Sequence, residues 1–171
     1  MLIGYVVSFL IFVSKSEDFI EKYRYENQPI VTLPHVYSFS DHTESSYIKG
    51  KGWLFAESWG SWTDGQNSTL RFKFSKESAG KLLKFEFHIM YSFYEDDNGT
   101  ADLIVNGAFF ESWSGNNIYP RVRTIELQLG PEESEVEISL SIGETRKHFY
   151  RELGFGIGSI KVSEVIKNGN I

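Results

Sequence analysis

The sequence predicts an all-β fold, an antiparallel β-sandwich of the jelly-roll type, preceded by a short apolar N-terminal segment that reads as helical. Three observations predict it. Apolar and polar residues alternate in several short runs, the period of a strand with one buried face. Turn-forming pairs separate those runs at short intervals, as sandwich hairpins require. Aromatic residues make up 16% of the 171 positions, and Phe and Tyr at that density suit pleated surfaces and a large core. The chain divides at residue 30, with an apolar and then charged segment over 1–29 and the sandwich over 30–171.

Met1–Val13 carries no charge. It is shorter than the ~20 apolar residues of a membrane-spanning helix, and it lacks the basic start and small-residue cleavage site of a secretory signal. Three readings stay open: a short membrane anchor, the stump of a membrane helix from a longer protein, and a buried strand or helix. Ser14 and Glu17 have the spacing of a capping box, which predicts a helix over Glu17–Tyr25. Strand alternation then takes over in Leu70–Phe74, Leu83–Tyr91, Ile125–Leu129 and Val136–Ile142. Turns are expected at Asp64-Gly65, Asn98-Gly99, Asn106-Gly107, Ser114–Asn117 and Gly130-Pro131, since Asn-Gly takes positive φ at both central residues. In the last strand Gly154-x-Gly156-x-Gly158 interrupts the pattern, and Ile160 and Val162 resume it with shifted parity. That shift predicts a β-bulge.

Composition excludes several functions. The net charge of −6 gives no electrostatic footprint for nucleic acid. Without Cys there is no disulfide framework, thiolate nucleophile or cysteine zinc site. His35, His42, His88 and His148 form no triad or metal spacing, and Gly154-x-Gly156-x-Gly158 is followed by no helix that would make it a phosphate loop. Glu57 and Asp64 are the carboxylates of a weaker hydrolase reading, which needs a separation of about 5 Å or roughly 6.5–9.5 Å. No spacing selects that pair, so the chain itself is read as non-catalytic.

Three of the four tryptophans fall within Trp53–Trp62, beside Glu57, Asp64 and a tight turn. Trp faces stack on the apolar C–H faces of a pyranose, and carboxylates accept its hydroxyl hydrogen bonds. The competing reading is that these rings fill the sandwich core, as Trp is highly buried on average. Trp113 stands where a strand runs out into a Gly/Asn-rich loop and is expected to be partly exposed. With Trp59, Trp62, Asp64 and Asn116 it would line a shallow sugar-binding surface. The acidic run Glu95–Asp102 has the oxygen density to hold a structural calcium, but its spacing is not that of an EF-hand loop. A solvated turn is the reading adopted, and no cofactor or metal is expected. The basic stretch Arg146–Arg151, with Arg121 and Arg123, reads as a solvated hairpin or, alternatively, as a seat for a lipid or glycan phosphate.

Two motifs carry a resemblance. Gly52-Trp53 followed by Glu57-x-Trp59-Gly60-x-Trp62-Thr63-Asp64-Gly65 opens the sandwich, and Arg151-x-Leu153-Gly154 with the strand Phe155–Val162 closes it. Together with the Asn98-Gly99 and Asn106-Gly107 turns, this resembles the C-terminal galactose-binding-like jelly roll of bacterial membrane phosphoglycerol transferases and related polytopic glycosyltransferases. The resemblance spans roughly Tyr47 to Val165. It departs from the family at Ala56 and Phe149, where Pro and Asp are usual, which weakens any acidic site near Arg151. It implies an accessory domain on the extracytoplasmic side of the inner membrane, with catalysis in another domain or chain. The partners implied are a glycan or glycan-linked lipid and the parent membrane transferase. The matching places of Glu57 and Arg151 in the two motifs predict a partly buried ion pair between them. The alternative function is a structural domain that packs on such a transferase and touches no sugar.

Overall fold

The computed structural model describes residues 19–40, 44–92, 100–114, 121–143, 146–148 and 151–166. Among these residues ten strands build two antiparallel sheets: β1 His35–Ser38, β2 Ser61–Asp64, β3 Asn67–Lys73, β4 Leu82–Ser92, β5 Thr100–Val105, β6 Ala108–Ser114, β7 Arg121–Gln128, β8 Glu135–Ile142, β9 Arg146–His148 and β10 Arg151–Glu164. One sheet has the order β1-β10-β4-β7, with β2 and β9 also paired to β10, and the other has the order β3-β8-β5-β6. From β2 onward the chain crosses between the sheets at each step except β5 to β6 and β9 to β10. This is the strand order of a jelly roll.

Each predicted alternation points its apolar residues inward, apart from Tyr91 near the end of β4. Leu83, Phe85, Phe87 and Ile89 of β4 face Leu70 and Phe72 of β3 and Val136, Ile138, Leu140 and Ile142 of β8 across one core. Burying a side chain of that size contributes roughly 1.5–3 kcal/mol, so the two sheets hold each other through their inner faces. The β5–β6 hairpin closes on Asn106 and Gly107 at φ 49° and 80°, as the Asn-Gly pair predicts for a two-residue turn. The β10 bulge is also present: register against β2 slips between Leu153 and Gly156, and against β4 Gly158 is the extra residue between Ile157 and Ser159. Phe155 and Ile157 before it, and Ile160 and Val162 after it, therefore all reach the core.

Residues 19–26 are helical, close to the expected span, and lie on the polar face of β3 and β8. Arg71 of β3 bonds Glu137 at 2.8 Å and Glu21 at 3.0 Å. Lys73 donates to the Tyr25 carbonyl at 2.7 Å and sits 4.2 Å from its ring centroid. The Tyr25 hydroxyl donates to Glu135. Burial, followed by that carboxylate, pushes the Tyr25 phenol up to about 12. Among the described residues no helix is long and apolar enough to cross a membrane, and Met1–Val13 lies outside them.

Candidate functional site

The tryptophan-rich segment enters the fold as a loop, Trp53 to Gly60, and then as β2, and β2 pairs with β10. The first and last parts of the sandwich therefore meet here, with Trp62 opposite Gly156 and Asp64 opposite Leu153. Tyr91 of β4 opposes the same Gly156 from the other side. With no side chain on the central strand, three rings close over it. Trp59 meets Trp62 edge-on at 5.2 Å and Tyr91 at 4.7 Å, and Trp62 lies 5.8 Å from Tyr91. The cluster is only half covered, and Tyr91 remains 46% exposed. At its rim the Trp59 indole donates to the exposed Glu57 carboxylate at 2.9 Å.

Strand alternation puts Asp64 on the same side of β2 as Trp62, roughly 6.6 Å further along. Asp64 borders a cleft of about 480 Å³ whose wall is the loop carrying Trp53 and Phe55. Trp53 is fixed by its indole, which donates to the Thr69 carbonyl at 2.8 Å, and by its packing on Phe39. Phe55 is held by neither and is 86% exposed. Lys49 also lines the cleft, just after helix α1, Glu44–Ile48. Its ammonium lies 5.1 Å from the Phe39 ring centroid and donates to Ser61 Oγ at 3.0 Å. Burial, and then the nearby Arg24 charge, push Lys49 down to about 8. The assembly offers aromatic faces for C–H stacking, a carboxylate to accept hydroxyl bonds, and cations to donate them.

The structure separates the residues that the sequence grouped. Trp59, Trp62 and Asp64 come together on β2 and its approach. Trp113 does not: it is 3% exposed, packed edge-on against Phe87 at 5.2 Å, with its indole on Glu111 at 2.6 Å. This corrects the expected exposure. Trp113 pairs with Ala101, which fixes its side chain on the inner face however near it stands to the strand end. Asn116 lies outside the described residues.

Glu57 is exposed rather than partly buried, and the register does not bring it to Arg151. Glu57 bridges to Gly60 beside Ile157, and Ile157 lies six positions along β10 from Arg151, on the order of 20 Å. The Arg151 side chain is outside what is described, as are those of Arg121 and 146–148. Of the acidic run, residues 95–99 are likewise outside, while Asp102 accepts a bond from Ser112. Among the described residues no group of three or more His, Asp or Glu is placed to hold a metal.

Sequence reasoning missed Tyr91, Phe55 and Lys49. Parity alone puts Tyr91 with Ile89 in the core, and only the register slip between them, where two steps of β4 oppose one of β10, turns it toward the tryptophans. For Lys49 the sequence holds no signal, since its surroundings come from four separate stretches of chain.

No protein-family model and no curated protein matches the chain. Among solved structures it is similar to a ruminal GH26 endo-β-1,4-mannanase, with 12% identity over 82% of this chain and 28% of that one and a TM-score of 0.45. It is also similar to an acetyl xylan esterase from the rumen bacterium Butyrivibrio proteoclasticus, with 14% identity over 82% and 35% and a TM-score of 0.45. A third is the carbohydrate-binding module CBM36 in complex with calcium and xylotriose, with 15% identity over 81% and 96% and a TM-score of 0.40. The chain thus spans about a third of the length of the two enzymes. At these scores the fold assignment rests on the strand order, and function on the site's own geometry.

Proposed function

We propose that this sandwich is a non-catalytic glycan-binding module whose ligand lies along the cleft beside β2 and against the aromatic cluster. The observation that carries the reading is the placement of Trp62 and Asp64 on one side of β2. The half-open Trp59–Trp62–Tyr91 cluster therefore shares a side of β2 with Asp64, which also borders the cleft that Trp53, Phe55 and Lys49 line. The hydrolase alternative is the weaker one: Glu57 opposes Gly60, so its backbone stands about 13 Å along the strand from that of Asp64. Affinity is modest, because ring stacking and a few hydroxyl bonds replace good bonds to water. The motif resemblance supports a place beside a membrane transferase that modifies envelope glycans, on the extracytoplasmic side.

The test is a glycan array followed by titration calorimetry on Phe55→Ala and Tyr91→Ala. Both side chains are exposed, so melting temperature should hold while affinity falls about tenfold for each. Glycan affinity unchanged in both variants would remove the site. A second reading, a docking domain that binds no sugar, draws on Phe109 and Phe110, which are 65% and 38% exposed on β6 at the sheet edge. An array without any hit would favour it.

A further inference from the structure

Charge in the cleft runs against the charge of the chain. The protein carries −6 overall, yet the residues lining this cleft include two cations, Arg24 and Lys49, and one carboxylate, Asp64. Among the described residues the Lys49 ammonium meets a hydroxyl and two aromatic rings, and no carboxylate at ion-pair distance. Holding a cation on an apolar floor next to a second cation is costly unless something compensates it. An anion entering the cleft would do so, with Lys49 and Arg24 as donors. The walls decide what carries that anion, because the faces of Trp53 and Phe55 suit a sugar ring better than a free ion.

Resting on the glycan reading above, we infer that the cleft selects a sugar unit bearing an oxyanion. Lys49 and Arg24 take its charged group, the ring lies against Trp53 and Phe55, and Asp64 accepts its hydroxyls. A uronic acid carboxylate and a sugar phosphate present the same chemistry here. The sign of the pH effect follows from Lys49. Ser61 of β2 faces it directly, and Arg24 from the N-terminal helix, Asp64 from β2, and Ser45 and Ser46 from α1 line the same cleft. Burial has brought the Lys49 ammonium into titration near pH 8. Its charge, and the preference it confers, is present below that pH and lost as pH rises through it.

The experiment is calorimetric titration of the full chain with two pairs of probes: oligogalacturonate and its methyl ester of equal length, and a phosphorylated oligoglucan and its unphosphorylated form. One or both charged probes should bind about tenfold more tightly than the neutral counterpart, and which one does so identifies the oxyanion. The preference should disappear in Lys49→Met, which keeps the aliphatic stem over the rings. It should shrink in Arg24→Gln, and in the wild type it should decline between pH 7 and pH 9. If Lys49→Met fails to fold, the exposed Arg24→Gln decides alone. Equal affinity for charged and neutral probes, or a preference that survives these substitutions, overturns the inference and leaves glycan binding standing. No binding of any probe, with an empty array, overturns both.

Discussion

At Gly156 the missing side chain is what lets the aromatic cluster form. An added Cβ would stand 2.7 Å from Trp59 Cη2, closer than real contacts allow, and a tight 3.3 Å from Trp62 Cζ3. Trp59 is also tied to Glu57, so the ring cannot withdraw without losing that bond. Gly156→Ala is therefore expected to cost about 1–3 kcal/mol and to change the near-ultraviolet circular dichroism of the tryptophans. A variant that melts and absorbs like the parent would mean that the rings do not rest on β10. Trp113 teaches the complementary lesson at the same scale. Its neighbours in sequence, Ser114 and Gly115, suggest a loop, while its neighbour across the ladder, Ala101, sets which face it occupies. A cross-strand partner is invisible until the register is known.

The element that departs most from a bare sandwich is the helix over residues 19–26. Its stability comes from β3 and β8 rather than from its own length, since two turns of helix are marginal in water. Arg71 is the centre of that attachment, bonding Glu21 from the helix and Glu137 from β8 while its guanidinium lies 5.3 Å from the Tyr25 ring centroid. The group is partly exposed, which limits its worth to about 1 kcal/mol. Arg71→Met should accordingly leave the sandwich folded, lower its stability by about that amount, and raise amide exchange selectively over residues 19–28. Exchange that rises evenly through the sheets would show that the helix is not a separate unit. The change from helical to strand period near residue 30 is legible in the sequence. The bonds that bind the two segments are not, because Glu21 and Arg71, or Tyr25 and Glu135, stand too far apart in the chain to leave a local pattern.

On the scale of the whole molecule, β10 is the strand through which the fold is joined. It pairs with β1, β2, β4 and β9, and it is the last strand among the described residues. Contacts of such sequence separation come with a large loop-closure entropy, so the jelly roll closes only when the C-terminal strand arrives. Ending the chain after Gly158 would remove Ile160 and Val162 from the core and leave β1 without its partner. The expected outcome is loss of cooperative unfolding by circular dichroism. A truncated chain that still melts cooperatively would place the closing interactions elsewhere.

The amino-acid sequence determined by itself the fold class, the inward-facing residues of β3, β4 and β8, the Asn106-Gly107 turn and the bulge in β10. Each of these is a local property, set by a period of two, by positive φ or by one inserted residue. Tertiary structure alone decided which tryptophans would be open, that Tyr91 would join them, and that Lys49, Arg24 and Asp64 would border one cleft. Those are facts of register and of sheet order, in which residues tens of positions apart are brought within a few ångströms by a core whose alternation says which face is buried but not which strands are neighbours.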